Sequence, residues 1–391
     1  MATPANISKQ LARNAVDVLP AGALQKSLAA SAESGRPLRV KLGIDPTAPD
    51  IHLGHTVVLS KLREFQDAGH TVVLIIGDYT ARVGDPSGRS KTRPELSAEE
   101  IDANAATFQE QAFKVLDADR VEVRRNSEWL DMAMTDLFAL MRIPTVAQLL
   151  ERDDFSRRYA ENTPIALLEL LYPLLQAYDS VAIRSDIEIG GTDQKFNLLL
   201  GRDLQQSFGQ KPQVVLTMPI LPGVDGTRRM GKSLGNHIGV TEPPEEIFGK
   251  VMSIPDAVMP LYYDLLLGGN AASDQPPVEQ KRALARALVG RFHDQAAANR
   301  AEEHFDRLFK RHAPPDEIED FTLELQAENV HIPALIAAAF GLSRSEARRL
   351  IEQGGVSLDG EPVSAGVDLR SSDLDGKVLK VGKRRFKRIR A

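Results

Sequence analysis

Leu38-Arg39-Val40-Lys41-Leu42-Gly43, the helical register of residues 53–68, and Thr71-Val72-Val73-Leu74-Ile75-Ile76 together decide the fold. The first stretch reads as a strand. In residues 53–68 the apolar positions Val57, Val58, Leu62 and Phe65 recur at helical spacing, and Gly69 closes the helix. The third stretch is a continuous, largely β-branched run, as expected for a strand buried on both faces. The three make one βαβ unit, whose crossover sets His52 and His55 at the start of its helix. Residues 186–189 read as another strand, and residues 192–200 begin another helix. The alternation predicts an α/β protein with a doubly wound parallel sheet.

Further out, residues 98–177 are rich in Leu, Met and Ala and read as a helical insertion (about 95–175) packed on the sheet, with an apolar face for a homodimer. Residues 242–310 are helical again, punctuated by Pro243-Pro244 and Pro276-Pro277, and Ala313-Pro314-Pro315-Asp316 reads as a linker. Beyond it, two short helices are expected at 333–340 and 343–353, the second with Ser343 as N-cap and Glu346 closing a capping box. Val356-Ser357-Leu358-Asp359-Gly360 then reads as a strand entering a turn. The expected domains are 1–240 (catalytic), 241–325 (α-helical) and 330–391 (small and basic).

The length of 391 residues fits two or three domains, and 42% hydrophobic with 26% charged residues is the composition of a soluble globular protein. No run approaches the roughly 20 apolar residues of a membrane span. The N-terminus lacks a signal-peptide profile, so a cytoplasmic enzyme without membrane partners is expected. Cysteine is absent, which excludes disulfides, thiolate zinc sites and cysteine nucleophiles. The net charge of −6 argues against nucleic acid, but its distribution reverses that. The last sixteen residues hold eight Lys or Arg and no Asp or Glu. An acidic body with a basic end suggests local contact with RNA phosphates; a solvated tail is the competing reading.

Three constellations carry chemistry. His52 and His55 share one face of the first helical turn, where unpaired N–H groups and the positive dipole end suit a polyphosphate. Gly54 between them lets a nucleotide approach the backbone. Residues 223–233 form a basic, turn-rich loop whose Arg229 and Lys232 can meet an anionic group. On the apolar helix around residue 175, Tyr172, Gln176 and Asp179 share one face, and a polar stripe there is costly to bury unless it meets partners or a ligand.

His52-Leu53-Gly54-His55 resembles the H-I-G-H box of class I aminoacyl-tRNA synthetases, and Arg229-Met230-Gly231-Lys232-Ser233 resembles their K-M-S-K-S loop, with Arg229 and Gly231 as departures. The first box alone is shared with other nucleotidylyltransferases. Gly43-Ile44-Asp45-Pro46-Thr47-Ala48, Tyr172-Pro173-Leu174-Leu175-Gln176-Ala177-Tyr178-Asp179 and Gly190-Gly191-Thr192-Asp193-Gln194 are similar to segments of the bacterial tyrosyl members. The resemblance implies a Rossmann-type catalytic domain with its helical insertion, an α-helical domain on the anticodon side of the tRNA, and a small α+β RNA-binding module at the C-terminus.

It also implies roles. His52, His55, Arg229, Lys232 and Thr47 would act in catalysis. Gly54, Gly191, Asp193, Met230, Lys232 and Ser233 would bind ATP, presented with Mg²⁺ as a substrate complex, with no tightly bound cofactor and no protein metal site. Tyr172, Gln176, Asp179, Asp85, Asp45, Gln194 and Lys41 would form the tyrosine site. Lys41 stands where many tyrosyl enzymes have a second phenol-contacting Tyr, and would either pair with Asp179 or point away. Arg344, Arg348 and Arg349 would contact tRNA(Tyr) phosphates, and Arg89 and Arg93 the acceptor end. The implied reaction joins L-tyrosine to ATP and passes it to the tRNA. A tryptophanyl or other class I synthetase is one rival, though tryptophanyl enzymes usually carry Met at the place of Gln176 and lack the C-terminal module. A non-catalytic RNA-binding paralogue, which would tend to lose the boxes, is the other.

Overall fold

The computed structural model describes residues 3–47, 50–84, 97–269, 275–309, 318–323, 329–364, 368–382 and 385–390. The chain divides into two compact units, residues 1–243 with 250–287, and residues 244–249 with 288–391. The helical stretch expected as its own domain at 241–325 is thus shared between them. Its Tyr262 is buried and donates a hydrogen bond to the Pro222 carbonyl at 2.7 Å, which ties that segment into the first unit.

The first unit is built on a six-stranded sheet among the described residues: β1 (Asp17–Leu19), β2 (Arg39–Ile44), β3 (Thr71–Ile76), β4 (Val121–Arg125), β5 (Ile187–Gly191) and β6 (Val214–Met218). Their spatial order is β1-β6-β5-β2-β3-β4. All neighbours are parallel except β1, which runs antiparallel along β6. From β2 the chain winds outward through β3 and β4, then returns to place β5 and β6 on the other side. The switch point therefore lies between β2 and β5, and a crevice opens beyond their carboxyl ends. Strands β3 and β6 are apolar and buried almost throughout, as strands covered on both faces must be.

Helix α1 (Leu53–Asp67) follows β2 and lays Leu53, Val57, Leu59, Leu62 and Phe65 into the core. Helix α2 (Leu167–Ala182) precedes β5, and α3 (Lys195–Ser207) follows it. The insertion is not wholly helical. It contains β4, whose Val121-Glu122-Val123 alternation marks a half-buried edge strand that the surrounding Leu- and Ala-rich helices obscure in sequence. After β4 come the short helices Ser127–Leu130, Met134–Met141, Val146–Leu150 and Asp153–Ala160.

In the second unit, α4 (Ile332–Phe340) and α5 (Arg344–Glu352) pack on a small sheet. Its strands are β7 (Asp320–Thr322), β9 (Val356–Leu358), β10 (Glu361–Pro362), β12 (Val378–Val381) and β13 (Arg385–Arg390), while β8 (Asn329–His331) pairs with β11 (Asp368–Arg370). Ile332, Leu335, Ile336, Ala347, Leu379 and Ile389 form the centre of this core. Ser343 caps α5, its hydroxyl accepting the Glu346 N–H at 3.2 Å.

Candidate active site

The crevice at the β2/β5 switch point is a cavity of about 520 Å³ whose lining includes Gly43, Asp45 and Thr47 from the end of β2, Gly191, Asp193 and Gln194 from the end of β5, and the start of α1. Tyr172, Gln176 and Asp179 close it from α2, and residues 229–234 close it from the loop after β6.

At one end Tyr172, Gln176 and Asp179 of α2 each have a protein partner. The Tyr172 hydroxyl donates to Asp45 Oδ2 at 2.9 Å, and Thr80 Oγ1 donates to Asp45 Oδ1 at 2.7 Å. Gly77 is required there, since a Cβ would lie 2.1 Å from Asp45 Oδ1. With its proton committed to Asp45, the Tyr172 oxygen presents lone pairs to the cavity. Gln176 Oε1 accepts from Asn197 Nδ2 at 2.8 Å, which orients the amide. Asp179 Oδ1 accepts from the indole N–H of Trp129 at 2.9 Å. Its other oxygen lies 4.0 Å from where a Cβ on Gly43 would be. Burial pushes the Asp179 carboxyl up to about 7, against the opposing pull of Lys41 and the Trp129 hydrogen bond.

Lys41 does not line the cavity. It is fully buried and makes its ion pair with Glu188 at 3.0 Å rather than with Asp179, although its charge still acts on the Asp179 carboxyl.

At the other end stand the first box and the loop. The His52 N–H donates to His55 Nδ1 at 3.3 Å, and the two rings stack with centroids 3.9 Å apart. That bond leaves the His55 proton on Nε2. Burial depresses both rings, His55 to about 4 and His52 to about 2, so both are neutral N–H donors at physiological pH. A Cβ on Gly54 would stand 3.0 Å from the His52 ring and 3.6 Å from Met230 Cβ, so glycine keeps box and loop in contact. The loop is tied to α1 by the Leu53 N–H donating to Ile238 O at 2.9 Å. Within it Asn236 is the organiser, accepting from the Gly231 N–H at 2.9 Å and donating to Asp225 at 2.9 Å and to the Arg229 carbonyl at 3.1 Å. The two loop cations that line the cavity meet acids of the same cavity: Arg229 lies 3.5 Å from Asp193, and Lys232 pairs with Asp50.

The match to known proteins decides the assignment. Residues 33–310 fit the family model described as tRNA synthetases class I (W and Y), and residues 332–375 fit the S4 domain. A tyrosine–tRNA ligase of Moorella thermoacetica is 49% identical over 97% of this chain and 94% of its own length. The tyrosine–tRNA ligase of Thermotoga maritima is 49% identical over 99% and 98%. This chain belongs to the tyrosine–tRNA ligases. In fold it is also similar to the Archaeoglobus fulgidus tyrosyl-tRNA synthetase crystallised with L-tyrosine, with a TM-score of 0.63 at 24% identity, covering 76% of this chain and 99% of that one.

Of the site residues expected of a tyrosine–tRNA ligase, the crevice gathers His52, His55, Gly54, Thr47, Asp45, Tyr172, Gln176, Asp179, Gly191, Asp193, Gln194, Arg229, Met230, Lys232 and Ser233 around one cavity. Asp85, Arg89 and Arg93 lie outside the described residues. Arg344, Arg348 and Arg349 are exposed on α5 in the second unit. Trp129, Thr80, Asn197 and Glu188 went unnoticed in the sequence, and Asn236 and Asp50, within segments that resemble the family, had no role assigned. Trp129, the chain's one tryptophan, was the signal most open to notice. Among the described residues no cluster of three or more His, Cys, Asp or Glu forms a metal cage, and no helix is long and apolar enough to cross a membrane.

Proposed function

We propose that this chain activates L-tyrosine with ATP and then transfers the tyrosyl group to the 3′ end of tRNA(Tyr). The tyrosine carboxylate attacks the α-phosphorus in line, a carboxyl oxygen–phosphorus bond forms, and the bond to the pyrophosphate breaks. The terminal hydroxyl of the tRNA then attacks the tyrosyl carbonyl and AMP leaves. The nucleophile is already ionised, so catalysis is positioning and charge stabilisation.

The observation that carries this reading is the buried stripe of Tyr172, Gln176 and Asp179 facing the same cavity as His52, His55 and Lys232. Tyr172 and Gln176 offer oxygens to the substrate ammonium, and Asp179 accepts the phenol. His52 and His55 donate N–H groups to the α-phosphate as charge develops. Arg229 and Lys232 leave their acidic partners for the departing pyrophosphate, with Thr47 and Ser233 beside it. Asp193 takes the ribose hydroxyls, Gln194 faces the tyrosyl adenylate, and Gly54, Gly191 and Met230 shape the bed of the adenosine. ATP enters as its Mg²⁺ complex, the ion belonging to the substrate. Arg344, Arg348 and Arg349 contact tRNA phosphates, and residues 241–325 serve the anticodon side.

The insertion supports a homodimer, because Phe138, Val146, Tyr159 and Leu167 are apolar and exposed, Leu167 at 81%. We place the protein in the cytoplasm with its tRNA and ATP. The test is amino-acid-dependent ATP–pyrophosphate exchange across all twenty amino acids. Exchange with tyrosine alone is expected; exchange with tryptophan, or none from folded protein, would overturn the reading.

A further inference from the structure

Beneath the tyrosine end of the cavity lies a charge pair that the reaction itself does not use. Lys41 and Glu188 are register partners on the parallel strands β2 and β5, and both side chains are buried. Lys41 Nζ has three acceptors: Glu188 Oε1 at 3.0 Å, Ser180 Oγ at 2.7 Å and the Gln176 main-chain carbonyl at 3.2 Å. Ser180 passes its own proton to Glu188 Oε2 at 3.0 Å, and Gln213 donates to the same oxygen. Gly201 on α3 leaves the room, since a Cβ there would stand 2.7 Å from Gln213 Nε2.

Two consequences follow from where these bonds go. The lysine grips the turn of α2 from Gln176 to Ser180, which carries two of the three substrate-facing side chains. It also projects from the same face of β2 as Gly43, the residue opposite Asp179 Oδ2. A buried ion pair contributes little net stability, so its use here lies in position and field.

We propose that Lys41 and Glu188 are a specificity-determining pair, in which the lysine fixes the Gln176–Ser180 turn and keeps a positive charge behind Asp179. This rests on the reading of Asp179 as the phenol acceptor. The charged groups around Asp179 are Lys41 from β2, Glu188 from β5 and Asp45 from the end of β2; Lys41 favours its ionised form, and the two acids oppose it.

The pair makes a signed prediction. Lys41→Met removes the positive field, so the acid limb of kcat/KM for tyrosine moves to higher pH, by about one unit, and the tyrosine-to-phenylalanine ratio at pH 7 falls about fivefold. Glu188→Gln leaves the lysine's field unopposed, and the limb moves to lower pH. Since Lys41→Met strands a buried carboxylate, Lys41→Met/Glu188→Gln serves as the folded alternative, with a smaller upward move expected. The measurement is ATP–pyrophosphate exchange by the full chain with tyrosine and with phenylalanine from pH 5.5 to 9. Limbs displaced in the same direction by both single variants, a double variant with the wild-type profile, or an equal loss for both amino acids would overturn the proposal. Asp179→Asn separates the two levels: if it keeps the wild-type preference for tyrosine, the phenol-acceptor reading fails. If it loses that preference while the pair variants behave as wild type, only the pair's role fails.

Discussion

The two ends of one cavity are built differently. At the tyrosine end each polar side chain has its protein partner before any substrate arrives: Tyr172 on Asp45, Gln176 on Asn197, Asp179 on Trp129. These groups are buried and anchored from several elements, so their geometry is fixed in advance. At the phosphate end the working cations sit on an exposed loop and are paired with Asp193 and Asp50 of the same cavity, partners that a polyphosphate would replace. On the proposed reading, recognition is prebuilt at one end, whereas charge stabilisation is assembled at the other when ATP enters. That is the arrangement in which binding energy is reserved for the transition state.

Substitutions at the two ends should differ in what they impair. The largest effect is expected from Lys232→Ala, which removes a charge-stabilising group and should lower the single-turnover rate of adenylate formation about 10²–10³-fold. Asp179→Asn acts at the other end, lowering the tyrosine-over-phenylalanine preference in pyrophosphate exchange by about tenfold to a hundredfold, as a buried acceptor loses its charge. Acid should imitate that change.

Asp179 is raised to about 7 from an ordinary 3.8, so it takes up a proton as the pH falls through neutrality, and tyrosine KM should then rise about tenfold per pH unit. The sign for stability is opposite. A carboxyl raised in the folded state favours folding below about pH 4, and that contribution is lost as the pH climbs through 7. The histidines, held near 2 and 4, add no limb in this range. Gly54→Ala forces the His52 ring aside, and a several-fold loss in the ATP step is expected, about 0.5–1.5 kcal/mol, with tyrosine KM unchanged. Smallest is Asp50→Ala, which frees Lys232 from an exposed pair worth at most about 1 kcal/mol. It should lower the KM for ATP no more than about fivefold, and a rise instead would show that Asp50 helps to seat the loop.

What was legible in the sequence follows the same division. The βαβ unit, both boxes and the α2 stripe could be read because each is local: a hydrophobic period, a glycine where a Cβ would clash, three polar residues on one helical face. The groups that fix them were not, because they arrive from distant parts of the chain. Trp129 lies 50 residues from Asp179, and Lys41 lies 135 from the Gln176 carbonyl that it grips. Whether Lys41 would face the substrate or turn away depended on Glu188, a polar residue inside an otherwise apolar strand whose partner only the sheet register reveals. Strand β4 was hidden for another reason: four half-buried residues and an exposed one on a sheet edge give little pattern against the helices around them.

With its partners in place before substrate arrives, the tyrosine end should need nothing from the phosphate end. Trp129 is the only tryptophan and hydrogen-bonds Asp179, so intrinsic fluorescence should report occupation of the pocket. The decisive measurement is a tyrosine titration of that fluorescence without ATP, in the unmodified chain and in Arg229→Ala and Lys232→Ala. The account predicts saturable binding with one dissociation constant common to all three. Binding that appears only with ATP, or that weakens in either loop variant, would contradict it.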